Sequence, residues 1–448
     1  MVQTNKLYCA RWVLPDAATT WENGALAIAG DTITAAGTQS ELRAQFPAAQ
    51  IVDCGEAALM PGLVNCHTHL ELTVMRGFLE DVEHDFFAWL GKLTAARNAH
   101  LTLEDLSISA LWGAVEAARA GVTCVGDAST EGLTTLRALR ETGLRGVAFV
   151  ESFGPDPALA QENFVLLQEQ IAAMRELATP LARVGVSPHA PYTVSAKQLE
   201  LIADFALAEH LPVMMHAAES AVEDELLRHG RGPFAERLAA RSIAWRAPQV
   251  SPVQYLKQSG LLATRPLLAH CVRTGEADWE TLQEYDAAVA HCPKSNAKLN
   301  HGRAPFAAFL RQGLRVGLGS DSVAGNNTCD ILEESRFAML LARAGGDFVS
   351  LPQVFTAATD GGARALRLET QIGALTPGRQ ADFIAVALDG VHQTPVHDPR
   401  AAVFAASSGR DVKLTVVAGR EIYRDGRMLT VDENELRARV REVAAKLV

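Results

Sequence analysis

Two histidines separated by one residue, His67 and His69, lie within the segment PGLVNCHTHLEL at residues 61–72. On a β-strand successive side chains alternate between the two faces, so residues i and i+2 point the same way. The pair would therefore direct two imidazoles at one point. Imidazole is the commonest protein ligand for zinc and similar ions. The spacing predicts part of a metal site; the alternative interpretation is a pair of half-exposed loop histidines.

Other polar side chains close further apolar runs in the middle of the chain. Residues 63–371 alternate such runs with segments of helical spacing, and eight of the runs have strand character. Eight buried strands separated by helices predict an α/β fold, a (β/α)8 TIM barrel with parallel strands. Because the carboxyl ends of barrel strands build the active site, the side chains at these ends are expected to meet. They are His67 with His69, Asp127, Glu151, His189, His216, His270, His291 and Asp321.

Both ends of the chain are β-rich, unlike the middle. Hairpin signals such as Gly30-Asp31 and Asp425-Gly426 lie between short segments of β-forming residues. We predict that the two ends build one small β-sandwich domain into which the barrel is inserted. The predicted division is a composite β-sandwich domain at residues 1–62 and 372–430, a catalytic barrel at residues 63–371 and a C-terminal helix at residues 431–448.

The composition restricts the partners and the location. The 448 residues carry 41 basic and 52 acidic side chains, a net charge of −11, and they form no basic cluster, so nucleic acid is not an expected partner. No run approaches the roughly 18 apolar residues that cross a bilayer, and the first residues do not resemble a signal peptide. The seven cysteines include no C-x-x-C pair, which is typical of reduced thiols. We therefore expect a cytoplasmic protein with a small-molecule substrate and no membrane partner.

Six motifs occur in an order that points to a family. They are PGLVNCHTHLEL, SPHAPYTVS, HAAES, LLAHCV, HCPKSN and GLGSDSVAGNN. Over nearly its full length the chain resembles the amidohydrolase superfamily. Within that superfamily it resembles the branch of adenosine-type and methylthioadenosine/S-adenosylhomocysteine deaminases and triazine chlorohydrolases. The later segment LTPGRQADFIAVAL is similar to the family's return to its β domain.

The resemblance implies one divalent metal ion, held by His67, His69, His216 and Asp321. These donors suit Zn²⁺ with an open position for water, and Fe²⁺ or Mn²⁺ would also fit. Four satisfied core polar groups are the alternative, although buried unpaired His and Asp side chains are costly. Binuclear members of the superfamily bridge their metals with a fourth-strand lysine, which the segment ARVGVSPHA lacks. One metal and the deaminase branch are therefore expected, rather than a ring-opening amidase.

The resemblance also implies catalytic roles. Glu219, three residues after His216, resembles the proton shuttle of the deaminases. His270 resembles the residue that orients the attacking hydroxide, and Asp321 can take the hydroxide proton. A carboxylate at this offset can move protons to the ring nitrogen and the leaving amine. The alternative for Glu219 is a solvated acid at a helix start.

Several residues are left without an assigned role. Asp127 and His291 are equally compatible with support of the site and with a structural role. The histidines outside the strand ends are interpreted as surface or structural residues, because function concentrates at the strand ends of such barrels. They are His84, His100, His210, His229, His301, His392 and His397.

The resemblance suggests four substrate contacts. His189 resembles a family residue on the purine side of the substrate. Trp89 lies where the deaminases use an aromatic residue to cover the base, and a Trp buried under the loop is the alternative. Asn98 stands near the position of the family's ribose-binding glutamate, and Glu151 replaces a third-strand arginine. These two departures leave the identity of the substrate open.

The favoured hypothesis is a metal-dependent hydrolytic deaminase of an amino-heterocycle that releases ammonia through a metal-activated hydroxide. The expected substrate is an aminopurine nucleoside of the adenosine, methylthioadenosine, S-adenosylhomocysteine or aminofutalosine type. The alternatives are a chlorohydrolase acting on a halogenated ring, a mononuclear cyclic-amide hydrolase and a metal-free binding protein. Such binding proteins usually lose the H-x-H pair or the eighth-strand aspartate, and this chain has both. The resemblance further implies a homodimer or a larger homo-oligomer.

Overall fold

The computed structural model describes residues 6–447, whose strands fall into three groups along the chain. The N-terminal group is β1 (Lys6–Val13), β2 (Trp21–Ala29), β3 (Thr32–Thr38), β4 (Gln50–Asp53) and β5 (Ala57–Pro61). The central group is β6 (Leu63–Thr68), β7 (Val122–Ser129), β8 (Arg145–Ser152), β9 (Ala182–Pro188), β10 (Met214–Ala217), β11 (Leu267–His270), β12 (Ala288–His291) and β13 (Arg315–Leu318). The C-terminal group is β14 (Phe383–Ala387), β15 (Val412–Val417), β16 (Arg420–Arg424) and β17 (Arg427–Met428).

Helices fill the intervals between the central strands and flank the terminal ones. They are α1 (Gln39–Gln45), α2 (Phe86–His100), α3 (Leu103–Arg119), α4 (Leu133–Thr142), α5 (Ala160–Leu177), α6 (Ala196–Ala208), α7 (Ala221–His229), α8 (Pro233–Ala240), α9 (Pro252–Gln258), α10 (Glu276–Glu284), α11 (Pro293–Lys298), α12 (Phe306–Arg311), α13 (Val323–Asn326), α14 (Ile331–Ala344), α15 (Leu351–Ala358), α16 (Asp360–Ala365), α17 (Pro399–Ala401) and α18 (Glu433–Ala444). Within residues 6–447, no helix combines the length and the apolar composition that crossing a membrane requires.

The eight central strands form the predicted barrel. Strands β6 to β9 make one parallel sheet and β10 to β13 another, and a parallel bridge between Val186 and Val213 joins them on one side. On the other side β13 packs closely against β6. A Cβ at Gly317 would lie only 2.2 Å from Sγ of Cys66, so glycine is needed for this close approach. Every residue of β6, β7 and β8 is buried, as expected for parallel strands that are covered on both faces. The prediction of an α/β barrel fold is confirmed.

Strands from both ends of the chain build a second, largely antiparallel sheet. Its order is β17-β16-β15-β14-β5-β1-β2-β3, with β4 paired to β1. Because β14 lies antiparallel to β5, the C-terminal strands continue the sheet that the N-terminal strands begin. The rings of Tyr8 and Phe383 pack edge to face at 4.8 Å beside this junction. The domain bounds at residues 62, 372 and 430 stay predictions, and residues 1–5 and 448 lie outside the described part of the chain.

A buried ion pair joins the barrel to the terminal sheet. Arg145, at the start of β8, donates from Nε to Oδ2 of Asp382 at 2.8 Å and from Nη2 to Oδ1 at 3.0 Å. The two side chains are only 2% and 1% exposed. Two parallel hydrogen bonds between a guanidinium and a carboxylate fix the relative orientation of the partners.

A second group of charges lies at the N-terminal ends of the later barrel strands. Asp286, two residues before β12, accepts hydrogen bonds from Arg315 at 2.6 Å and from Arg367 at 3.1 Å. Arg265, just before β11, also donates to it, from Nε at 3.0 Å. One carboxylate therefore ties together the starts of three neighbouring elements.

Candidate active site

Four side chains from the C-terminal ends of three barrel strands converge on one point. Nε2 of His67 and Nε2 of His69 lie 3.4 and 3.5 Å from Oδ1 of Asp321. Nε2 of His69 lies 3.2 Å from Nε2 of His216. All four residues are buried. The structure thus brings together the whole set of predicted metal ligands.

The hydrogen bonding of these imidazoles fits a bound cation. Nδ1 of His216 lies 2.8 Å from the carbonyl oxygen of His189; a carbonyl only accepts, so Nδ1 carries the proton and Nε2 a lone pair. That lone pair faces His69, and the buried Nε2 of His67 has no hydrogen-bond partner. Lone pairs that converge repel one another unless a proton or a metal cation lies between them. The donor set of three imidazoles and one carboxylate suits a divalent transition ion.

Overlapping sets of residues have the spacing of metal ligands. In the described part of the chain, each set has its ligand atoms within 4.8 Å of one another. The sets are His67–His69–Asp321, His67–His216–His270 and His69–Glu151–His216. The sets share the predicted ligands, and Glu151 and His270 border the same point.

Local backbone geometry places Asp321. Its φ of 56° lies in the left-handed region, which costs energy for a residue with a side chain and is typical of functional sites. Its backbone N–H donates to the carbonyl of His67 at 2.9 Å and so joins the ends of β13 and β6. Ser295 Oγ donates to Oδ2 at 2.5 Å and the Ser322 N–H to Oδ1 at 2.6 Å. Burial raises the pKa of Asp321, but the nearby imidazoles, His67 foremost, outweigh burial and hold it well below its usual range.

Glu219 lies in the loop after β10 and is 4% exposed. Its Oε1 lies 3.6 Å from Nε2 of His270 and 3.2 Å from Nε2 of His301. Burial raises the pKa of Glu219, but these two imidazoles outweigh burial and lower it to about 2. The carboxylate of Glu223 accepts hydrogen bonds from the backbone N–H groups of Ala218 and Glu219 at 2.9 and 2.8 Å. The loop that presents Glu219 is therefore fixed from inside the fold.

His270 ends β11 and faces Glu219 with one ring nitrogen. Its Nδ1 lies 2.9 Å from Oδ1 of Asn296. An amide oxygen only accepts, so Nδ1 carries a proton. Nε2 is buried without a hydrogen-bond partner and can accept a proton or a hydrogen bond. The φ of 74° at His270 shows that this orientation is imposed against backbone preference.

A cavity of about 560 Å³ opens onto this group, and all four predicted substrate contacts, His189, Trp89, Glu151 and Asn98, line it. Trp89 is 7% exposed and stacks on Phe86 with ring centroids 6.1 Å apart. Asn98 is exposed and accepts a hydrogen bond from Arg97 at 3.3 Å. The contacts thus range from buried to solvent-facing.

Burial shifts the pKa values of two titratable groups in the cavity wall. Burial lowers the pKa of His189 to about 3, so this imidazole is neutral, and its Nδ1 lies 2.8 Å from Oγ1 of Thr193. Burial raises the pKa of Glu151 to about 7, and its Oε1 has no hydrogen-bond partner. A neutral imidazole and a carboxyl group with free capacity can both bond to polar groups of a ligand.

The two residues with no assigned role differ in their surroundings. Asp127 accepts hydrogen bonds from the backbone N–H of Leu70, at 2.7 Å, and from Oγ1 of Thr135. It therefore holds the turn that follows His69. His291 stacks on Phe306 with ring centroids 4.8 Å apart and is not among the described residues that line the cavity.

Sequence reasoning missed three residues near the site. Six of the seven histidines interpreted as surface or structural are exposed, but His301 is 4% exposed and lies beside Glu219. A surface position is wrong for His301, because the turn after α11 carries it back over the barrel end; whether its role is structural stays open to experiment. Glu71 and Arg97 also line the cavity, with Arg97 Nη2 3.5 Å from Glu71 Oε1. Glu71 lies two residues after His69 in the segment PGLVNCHTHLEL and Arg97 lies beside Asn98, so proximity in sequence was the available signal.

Comparison with known proteins shows which families this chain is similar to. The profile of the amidohydrolase family matches residues 58–422. That of a bacterial imidazolonepropionase-like composite domain matches residues 24–49. A protein of Syntrophus aciditrophicus, named 5-methylthioadenosine/S-adenosylhomocysteine deaminase 1, is 32% identical over 441 residues, which cover 97% of this chain and 95% of that protein.

Solved structures share the fold over almost the whole chain. A zinc-bound adenosine deaminase from Xanthomonas campestris superposes with a TM-score of 0.88 at 28% identity, covering 99% of this chain and 98% of that one. A zinc complex of atrazine chlorohydrolase from Arthrobacter aurescens TC1 gives 0.83 at 22% identity, covering 98% and 100%, a likeness that shows the fold alone. The chain therefore belongs to the amidohydrolase family, whose members depend on a metal, and it is a hydrolase that acts on C–N bonds.

Proposed function

We propose that this hydrolase is a deaminase of an aminopurine nucleoside, with 5-methylthioadenosine and S-adenosylhomocysteine as the first substrates to test. The observation that carries the proposal is Glu219, a buried carboxylate that faces His270 at the edge of the converging ligands. Loss of an amine requires a group that can deliver a proton to it, and we assign this role to Glu219. The names of the curated relatives support the same substrate class.

The metal site is proposed to consist of His67, His69, His216 and Asp321 and to hold one ion. Zn²⁺ is the ion that this donor set suits best, and Fe²⁺ or Mn²⁺ would bind to the same groups. A bound divalent ion would supply a water of lowered pKa, close to ~7, and so a nucleophile at neutral pH.

Glu219 begins the reaction as a base, because its lowered pKa keeps it ionised at neutral pH. It takes one proton from the attacking water and gives it to the ring nitrogen next to the carbon under attack. Asp321 takes the second water proton, which passes to the amine. The new C–O bond forms, the C–N bond breaks, and the products are the ring carbonyl compound and ammonia. After Glu219 has taken the first proton, His270 accepts a hydrogen bond through Nε2 from the remaining hydroxide and so sets its direction of attack, before Asp321 takes the second proton.

The cavity wall is proposed to orient the nucleoside. Trp89 covers the base by stacking, and the neutral imidazole of His189 bonds to its purine edge. Glu151 and Asn98 contact the sugar side, where a carboxyl group and an amide can both bond to hydroxyl groups. Because both residues depart from the family pattern, we propose that the sugar contacts, rather than the reacting centre, decide which nucleoside is preferred.

Ammonia release from a panel of aminopurine nucleosides, free aminopurines, pterins and triazines tests the proposal. We expect ammonia from at least one nucleoside. Glu219→Gln keeps the shape of the side chain but cannot transfer protons, so it should retain metal and lose about 10²–10⁴-fold in kcat. Turnover of Glu219→Gln near the wild-type rate would contradict the proposal, as would release of chloride from halogenated rings without ammonia from any amino-heterocycle.

Location and assembly are also proposals. The seven cysteines are buried free thiols, which suits the reducing cytoplasm. A homo-oligomer stays a prediction from the family, and light scattering coupled to gel filtration would measure it. A monomer across the working concentration range would contradict it.

A further inference from the structure

His301 is a buried imidazole that the proposed mechanism does not use. It is 4% exposed, and its ring packs edge to face on Phe86 with centroids 4.5 Å apart. Its Nε2 lies 3.2 Å from Oε1 of Glu219 but is not aligned for a hydrogen bond. Catalytic hydrogen bonds are often loose before substrate binds and tighten in the complex. A carboxylate can only accept, so a bond between these atoms requires a proton on Nε2.

One residue, Asn296 in α11, forms hydrogen bonds to both His301 and His270. The Asn296 side-chain oxygen lies 2.9 Å from Nδ1 of His270, and its carbonyl accepts a hydrogen bond from the backbone N–H of His301 at 2.9 Å. Asn300, with a φ of 57°, makes the reversal that returns His301 to the barrel end. The two imidazoles that face Glu219 therefore share a support, and a displacement of α11 would move both.

We propose that His301 is a positioning residue for the proton shuttle, donating from Nε2 to Oε1 of Glu219. Both imidazole contacts go to Oε1. With Oε1 held, the second oxygen, Oε2, exchanges protons with the water, the ring nitrogen and the amine. The inference rests on the proposed deaminase function, and it adds a residue that acts through Glu219 rather than on the substrate.

An unanchored carboxylate would rotate and spend less time in the reactive geometry. Loss of a supporting hydrogen bond of this kind typically costs about 10–100-fold in activity, and a misplacement of ~1 Å can have a similar effect. His301 is not among the residues of the described chain that line the cavity. Binding of the substrate should therefore be unchanged, so the loss should fall on kcat and leave KM within about twofold.

Two substitutions separate the proton donor from the volume of the ring. His301→Leu fills the space without a donor and should lower kcat for 5-methylthioadenosine, or for S-adenosylhomocysteine if that is turned over faster, by about 10–100-fold. His301→Gln offers an amide N–H near the position of Nε2 and should recover most of the activity. Metal content and the unfolding midpoint are measured for both variants, and activity is expressed per folded, metal-loaded chain.

Lys298→Ala is the matched control on the same segment. Lys298 forms surface ion pairs with Glu80 and Glu83 at 2.6 and 3.3 Å and so holds the end of α11 without touching Glu219. Its kcat should stay within about twofold of the wild type, because exposed ion pairs contribute little. A loss in Lys298→Ala equal to that in His301→Leu would mean that general loosening of the segment explains the effect, and this would overturn the proposal.

A double-mutant cycle gives the decisive measurement. If His301 acts only through Glu219, adding His301→Leu to Glu219→Gln should lower kcat no further than about threefold, whereas independent effects would multiply. Multiplied effects, or a KM change without a kcat change, would overturn the inference. Normal turnover of Glu219→Gln would instead refute the proposed function. A large loss in Glu219→Gln with unchanged His301→Leu would refute only the role of His301.

Discussion

Charged and polar side chains gather at both ends of the barrel, but the two ends satisfy them differently. At the N-terminal ends of the strands Asp286 meets three arginines and accepts hydrogen bonds from all of them. At the C-terminal ends Nε2 of His67 and Nε2 of His270 are buried without a hydrogen-bond partner. The same is true of one oxygen of Glu151.

The paired charges at the N-terminal ends stabilise the fold, whereas the unpaired polar atoms at the C-terminal ends are available to bind a ligand. A buried polar atom without a partner costs about 1–3 kcal/mol of stability. Several such atoms at one end therefore lower the stability of the fold unless a ligand bonds to them. Paired charges at the other end carry no such cost. In barrels of this kind the C-terminal end of the strands carries the chemistry and the N-terminal end contributes stability. Substitutions at the two ends should therefore affect different measurements.

The largest effect is expected for Asp321→Asn at the C-terminal end. The neutral amide is a poor ligand for a divalent ion and cannot take a proton, so metal content and kcat should fall together, kcat by more than about 10³-fold. Elemental analysis should show one metal ion per wild-type chain and clearly less in the variant. A fully metal-loaded but inactive variant would remove Asp321 from the ligand set, and two tightly held ions per wild-type chain would contradict the single-metal proposal.

Asp382→Ala should produce the largest loss of stability while leaving the chemistry intact. The change leaves the buried guanidinium of Arg145 without its partner, which typically costs about 3–5 kcal/mol in the free energy of unfolding. Denaturant unfolding measures this loss, and kcat per folded chain should stay within about twofold. The double variant Arg145→Met with Asp382→Leu should recover much of the stability, because no unpaired charge remains. If the double variant is as unstable as Asp382→Ala, shape rather than charge is responsible.

Asp286→Asn should have a smaller effect that depends on pH. Burial raises the pKa of Asp286, but hydrogen bonds from Arg265, Arg315 and Arg367 outweigh burial and hold it well below its usual range. The side chain is 38% exposed, so solvent screening limits the contribution to about 1 kcal/mol. A lowered folded-state pKa gives stability that is present above the unfolded value of about 3.9. The contribution is lost as pH falls through the lower folded pKa.

Urea unfolding at pH 7 and at pH 3 tests this sign. The wild type should exceed Asp286→Asn in stability at pH 7, and the difference should shrink at pH 3. High salt at pH 7 should also reduce it, because exposed charges are screened. A difference that grows on acidification would show that the three arginines do not hold Asp286 ionised.

The smallest effect is expected for Asn98→Ala at the mouth of the cavity. A single exposed hydrogen bond to the substrate is worth about 0.5–1.5 kcal/mol. KM should therefore rise by about 2–10-fold, while kcat and stability stay unchanged. Steady-state kinetics with 5-methylthioadenosine measures the change. An unchanged KM would remove Asn98 from the substrate contacts, and a fall in kcat alone would place it nearer the reacting centre than the geometry suggests.

The positions of the strand-end residues followed from the sequence because parallel strands impose them. Each apolar run ends where its strand ends, and closing the barrel brings those ends together. His67, His216 and Asp321 therefore meet although long segments of chain separate them.

Residues placed by irregular backbone could not be predicted in this way. His301 reaches Glu219 only because α11 ends in a turn with Asn300 in the left-handed region. The spacing of apolar residues in the sequence does not predict such a turn. The order of the terminal sheet was equally hidden, because the pattern that marks a strand says nothing about its neighbour. Strand β14 could have paired with β3 at the opposite edge; instead it lies beside β5.

That pairing of β5 with β14 has a consequence for synthesis on the ribosome. Strand β5 is entirely buried and ends at Pro61, while its partner β14 begins at Phe383. At about 5–20 residues per second, tens of seconds pass between the emergence of the two strands. During that interval an apolar strand edge has no neighbour, which is the condition that favours pairing with another chain. A chain that stops before residue 383 would carry that edge permanently.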